Sequence, residues 1–295
     1  MHQKPVPPSI PPYKNAILAG PKAAGLLGWD GFDPNDPAVW LQPRSVRSKN
    51  GAIRTTYWRQ SVREISGYPI ACDELVLSYL LVGLRSRPRW ENDARPVTPV
   101  ESLELAVEFL LRSGYTFAEF GQAVPSEFLP TQPKFPASCN GAVQLKRLNF
   151  SEAATRSVLL ARGPHEPPTE SYLETRTIQQ LRRGGFPRVF RQVPLFVEKR
   201  IVNRIDIVVA ALRQVRRPEA FSPRVGVPVE ADGREFHTGT FEKDRRRANN
   251  HSIARTQLLV VTSNMVEREP KTITSAVDQI FLERARQRPN RNVAH

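Results

Sequence analysis

The sequence predicts an α/β protein of two domains: a mixed α/β N-terminal domain, then a domain with a central mixed sheet flanked by helices. Three observations predict it. A length of 295 residues allows two cores of ordinary size. Helix-spaced and strand-like apolar runs alternate along the chain. The stretch GPHEPP at 163–168 interrupts that pattern where the charge also changes. From Ser151 onward there are 26 Lys and Arg against 16 Asp and Glu, and before it 17 against 13. The expected organisation is a disordered Pro-rich arm over 1–14, a domain over 15–163, a second domain over 169–286 and a basic tail over 287–295.

In the first half, NAILAGPKAAGLL at 15–27 is small and apolar enough for a helix, divided at Gly20-Pro21. Residues 38–42 and 52–58 read as short strands on either side of the polar turn RSKNG. Residues 68–81 begin extended and become helical from Asp73, a suitable N-cap. The clearest helix runs over 99–113, with Leu103, Ala106, Val107, Leu110 and Leu111 at helical spacing. Pro125, Pro130, Pro133 and Pro136 mark an irregular connection before a helix over about 149–161.

The second half has a simpler order. A helix over 171–183 stops at Gly184-Gly185, and strands follow at 189–197 and 201–209. After a basic, proline-containing loop come a strand at 225–231, a helix at 241–255, a strand at 257–262 and a helix at about 272–286. This α-β-β-β-α-β-α order gives the mixed sheet.

A formal charge of +14 makes a polyanion the first partner to consider. Cys72 and Cys139 stand apart with no metal-ligand spacing, so neither a disulfide framework nor a zinc site is indicated. No run approaches a membrane span and the proline-rich start lacks a signal-peptide core, so the cytoplasm is expected.

The chemistry-bearing residues lie in the strands. Alternation projects Glu230 and Asp232 together from one face of their strand, opposite Val229 and Ala231. Asp206 interrupts the apolar run Ile205-Asp206-Ile207. Burying an unpaired carboxylate costs several kcal/mol, roughly, so these acids call for a cation or donors nearby. Mg2+ or Mn2+ takes one or two carboxylates with waters and phosphate oxygens, and activates water against a phosphodiester. His237, five residues beyond Asp232, suits acid-base work. Arg234, Lys243, Arg245, Arg246 and Arg247 are candidates to hold DNA phosphates.

The stretches RIDIVV, PVEADGREFH and FEKDRRRANN resemble the endonuclease-domain family related to very-short-patch-repair endonucleases, within the PD-(D/E)XK, restriction-endonuclease-like fold. The resemblance covers about 171–282. It implies Asp206 and Glu230 as metal ligands, Glu174 as the acid of the first helix, and His237 as the acid-base residue. Asp232 stands where many relatives of the wider fold carry lysine, which places the sequence with the patch-repair branch. Val260 stands where relatives often carry arginine, and the loop over 211–226 is long and basic.

Bland alternatives accompany these roles. Glu174 fits a capping box with Ser171. Asp206 has Arg204 and Arg200 within reach as ion partners. Glu230 and Asp232 suit an ion-pair network, His237 a packing role, and the arginine run a solvated helix face.

ILAGPKAAGLLG and YPIACDELVLSYLL in the first half resemble the C-terminal domain of type IV abortive-infection antitoxins. The sequence-level expectation is thus a bacterial, Mg2+- or Mn2+-dependent DNA endonuclease in defence, mobile-element biology or repair. Alternatives are a DNA-binding regulator or antitoxin-like protein with an inactive nuclease fold, and an interaction protein whose basic surface serves solubility. A homodimer and a protein partner held by the N-terminal domain stay open.

Overall fold

The computed structural model describes residues 16–43, 53–55, 62–84, 97–117, 120, 149–162, 166–197, 200–211, 218–222, 225–232 and 257–287. The expected Pro-rich arm, the helix at 241–255 and the basic tail beyond 287 lie outside them. The protein is α/β, with two mixed sheets. Its contacts divide it into two units, Met1–His165 and Glu166–His295.

The first unit holds a five-stranded sheet of order β3-β2-β1-β5-β4. Here β1 is Ile17–Ala19, β2 Val39–Pro43, β3 Ile53–Thr55, β4 Arg63–Ile65 and β5 Tyr68–Ile70. The helix expected over 15–27 is therefore corrected. Its first part is the central strand β1, paired antiparallel to β2 and parallel to β5. Only from Gly20 does helix α1 (Gly20–Leu26) begin. Three consecutive buried residues suit a strand covered on both faces. Gly20, at φ +70°, turns the chain, and Pro21 sits in the first helical turn, which needs no amide donor.

Strand β3 pairs parallel to β2; RSKNG lies outside the described residues. Strand β4 has no counterpart in the sequence reading. It joins β5 through Ser66-Gly67, both at positive φ as a type I′ turn requires.

Helix α2 (Asp73–Leu84), α3 (Pro99–Arg112) and α4 (Asn149–Arg162) complete this unit. Thr98 caps α3 with a full capping box: its hydroxyl accepts from Glu101 N at 3.2 Å, and its amide donates to Glu101 Oε2 at 2.8 Å. Leu103, Ala106, Val107 and Leu110 of α3 join Leu18, Leu41, Ile70 and Leu80 in one core. Arg162 of α4 donates through Nε to Glu108 Oε1 of α3 at 2.9 Å, both side chains essentially without solvent exposure.

The second unit is built on a four-stranded sheet of order β6-β7-β8-β9. Its strands are β6 Val189–Val197, β7 Arg200–Ala210, β8 Gly226–Asp232 and β9 Leu259–Thr262. Strands β6 and β7 and strands β7 and β8 pair antiparallel, and β9 runs parallel to β8. Helix α5 (Tyr172–Arg183) precedes the sheet; α6 (Ser263–Arg268) and α7 (Pro270–Arg286) follow it.

Two apolar clusters lie on the sheet. Val189, Ile207, Val209, Val227, Val229 and Val261 pack with Leu173, Ile178 and Leu181 of α5, Val266 of α6 and Ile273, Val277 and Ile280 of α7. The alternate strand residues Phe190 and Val208 pack with Phe221 and Val225 of the loop before β8. The described helices thus meet one cluster, and a loop serves the other. Two helices, α6 and α7, follow β9: α7 is the one expected at about 272–286, and α6 is a short addition before it. Thr262 caps the first, accepting from Met265 N, and Pro270 opens the second.

Candidate active site

The candidate site lies where α5, β6, β7 and β8 meet. Helix α5 starts at Ser171, whose hydroxyl accepts from Glu174 N at 3.1 Å. The expected capping box is only half formed. Instead of reaching back to Ser171 N, the Glu174 carboxyl accepts from Glu170 N at 2.9 Å and Ser171 Oγ at 3.1 Å. Its third donor comes from the sheet: Gln192 Nε2 of β6 donates to Glu174 Oε2 at 3.0 Å.

Gln192 reaches that position through an unusual backbone. It lies in β6 with φ +48°, between the pairs Arg191 with Ile207 and Val193 with Ile205. A non-glycine residue in this left-handed region costs about 1–3 kcal/mol and persists only where its surroundings hold it. Register sets Gln192 opposite Asp206. The sequence reading passed over Gln192; the one signal for it is a polar amide inside the apolar strand VFRQVPLFV.

Asp206 marks the end of another ladder. Strands β7 and β8 pair from Ala210 with Gly226 to Ile207 with Val229, and no further. One residue on, register sets Asp206 opposite Glu230, and there Asp206 Oδ2 accepts from Ala231 N at 3.1 Å. A carboxylate takes up a donor that the ladder leaves at its end. Glu174 is 4 % exposed, and Asp206 and Glu230 are each 8 % exposed.

On β8, Val227 and Val229 belong to the cluster under the helices and Ala231 packs against it, so Glu230 and Asp232 project from the other face. Asp232 is half-buried and lies beside Thr262, at the start of α6.

The electrostatics couple the helix to the sheet. Burial raises the Glu174 carboxyl from its ordinary value of 4.5 to about 7; the negative charge of Asp206 adds to this, and the three hydrogen bonds oppose it. A carboxyl with that affinity holds or releases a proton near neutral pH.

The structure therefore brings Glu174, Gln192 and Asp206 together, with Glu230 at the adjoining register position. Among the described residues, no three His, Cys, Asp or Glu side chains gather as a group able to hold a metal ion. The donors present are hard carboxylate oxygens, which fits Mg2+ or Mn2+, ions that need only one or two carboxylates and keep waters for the rest. His237, Arg234, Lys243, Arg245, Arg246 and Arg247 lie outside the described residues.

No family model matches the chain, and no curated protein or solved structure is similar to it. Among the described residues no helix is long and apolar enough to cross a membrane.

Proposed function

We propose that this chain is a metal-dependent DNA endonuclease hydrolysing phosphodiester bonds, of the kind its second half resembles. The observation that carries the reading is the meeting of Glu174 and Asp206 where the β7–β8 ladder ends, with Glu230 next in register. Three buried acids at one end of a sheet need a use for their charge.

Asp206 and Glu230 would hold the Mg2+ or Mn2+ ion, which when bound polarises a phosphate oxygen and lowers the pKa of water. Asp206 is anchored to β8 through Ala231 N, which fixes its orientation. Glu174 and Gln192 hold the helix start against Asp206, and Glu174 buffers the charge there by keeping or releasing its proton. In the motif that carries the resemblance, His237 supplies acid-base chemistry, and Arg234, Lys243, Arg245, Arg246 and Arg247 supply phosphate contacts. A net charge of +14 and two isolated cysteines accord with a DNA substrate in the cytoplasm.

The test is cleavage of supercoiled plasmid DNA with Mg2+ or Mn2+. The wild-type chain should nick or linearise it, and Asp206→Asn and Glu230→Gln should each cut about 100-fold more slowly or worse, since the ion supplies several kcal/mol. Undiminished cleavage by both variants would sink the assignment.

A further inference from the structure

Strand alternation sets residues 190 and 193 on opposite faces of β6, and residues 205 and 208 on opposite faces of β7. Yet Phe190, Val193, Ile205 and Val208 are all buried in one cluster with Phe221 and Val225. The hairpin therefore changes face at a single rung. It is the rung of Gln192 and Asp206, between the pairs Arg191 with Ile207 and Val193 with Ile205. In β6 the change falls on Gln192 itself, at φ +48°.

A left-handed residue at such a turn is most easily glycine, and next asparagine. Glutamine has no such preference, so its presence points to its side chain. Gln192 is 4 % exposed, and its Nε2 donates to Glu174 Oε2 at 3.0 Å. The residue before it is also tied to the segment that leads into α5: Arg191 N donates to Glu166 Oε2 at 2.8 Å.

Glu174 has a second place to go. It stands three residues after Ser171, the spacing of a capping box, in which its carboxyl would accept from Ser171 N. Thr98 and Glu101 complete that box at the start of α3. At α5 the carboxyl is turned away from it. Of its three donors among the described residues, Glu170 N and Ser171 Oγ belong to the helix start, and Gln192 alone belongs to the sheet.

We infer that Gln192 is a positioning residue of the candidate metal site: its amide keeps the Glu174 carboxyl out of the capping box and on the side of Asp206, where it offers the ion a further hard oxygen, directly or through a water. The inference rests on the nuclease reading, and it adds what holds that site ready for its ion. It also gives the backbone of Gln192 a use, since strain of this kind persists where the surrounding structure gains from it.

The experiment is titration of the DNA-free full chain with Mn2+, followed by electron paramagnetic resonance, with urea unfolding and plasmid cleavage measured in parallel. Gln192→Gly suits the backbone and removes the amide. It should unfold at the wild-type urea midpoint or above, and bind Mn2+ about tenfold more weakly, the usual size of effect for a group that orients a metal's donors. Cleavage should need a correspondingly higher Mg2+ concentration. In a Glu174→Gln background the same substitution should change Mn2+ affinity less than about twofold, because the carboxyl through which Gln192 acts is gone. Should the glycine variant fail to fold, Gln192→Asn takes its place under the same criteria, since asparagine tolerates this backbone and its amide falls one methylene short.

If Gln192→Gly binds Mn2+ as wild type does, while Asp206→Asn loses the ion and cleavage, Gln192 serves only the turn of the strand; the inference is overturned and the nuclease reading stands. An equal loss of affinity with and without the Glu174 carboxyl also overturns it, because Gln192 would then not act through Glu174. If the wild type binds no Mn2+ and cleaves no DNA with any metal, the nuclease reading fails and takes the inference with it.

Discussion

Glu174 offers the most direct check of the site's electrostatics. Its carboxyl is raised from 4.5 to about 7, chiefly by burial and further by Asp206. That rise corresponds to about 3 kcal/mol. The sign follows from proton binding. Between pH 4.5 and 7 the folded chain holds the proton and the unfolded chain has lost it, so stability falls as pH rises through that window. The penalty is absent below about pH 4.5 and complete above about pH 7.

Glu174→Gln removes the ionisation and gives up part of the hydrogen bonding, because an amide cannot accept from Glu170 N, Ser171 and Gln192 as a carboxylate does. That loss is about 1 kcal/mol for each bond weakened. The variant should therefore be less stable than wild type near pH 4.5 and equal or more stable above pH 7.5, with the difference between the two proteins swinging by about 3 kcal/mol. Urea unfolding of both across that range measures it. A difference that stays flat with pH, or swings the other way, would refute the argument from burial and the neighbouring charge.

Two further predictions concern the ion and the first unit. Added Mg2+ or Mn2+ should raise the melting temperature of wild type and leave Asp206→Asn unmoved; calorimetry at matched ionic strength reads the difference, and equal shifts would remove Asp206 from the ligand set. Glu108→Gln leaves the Arg162 charge buried without its carboxylate and should cost about 3 kcal/mol or more, seen as a lower urea midpoint; a change under about 0.5 kcal/mol would mean that the remaining surroundings of Arg162, Phe117 among them, carry the charge.

What the sequence made legible follows from how local each signal is. Strands β7 and β8 fall within a residue of their expected bounds, because long β-branched runs suit a covered sheet and few other elements. A lone acid in such a run is conspicuous, which marks Asp206, and Glu230 stands out by its alternation with Asp232. Ile17–Ala19 is too short to show a period, so its three apolar residues read equally well as helix. Helix α7 falls close to its expected bounds, whereas the six residues of α6 are too few to show a helical period. Gln192 lay beyond reach for another reason. Its left-handed backbone accompanies a bond to Glu174 of α5, distant in sequence, and no feature of its own neighbours in sequence prescribes it. The capping box misled in a similar way: Ser171 and Glu174 have the right spacing, yet the carboxyl is turned to Gln192, a partner 18 positions away.

If Asp206 holds the ion as proposed, the bond from Ala231 N to Asp206 Oδ2 ties two properties of the molecule into one residue. A side chain that only served chemistry could be lost by a lineage at no cost to the rest of the chain. Here Ala or Leu at the same position would also strand a backbone donor at the end of the β7–β8 ladder, so decay of the site would be felt as decay of the fold. Asn is the one near neighbour that keeps an acceptor of the same reach. An inactive descendant of this protein is therefore expected to carry Asn at 206 more often than an apolar residue, a record of which of the two duties was given up first.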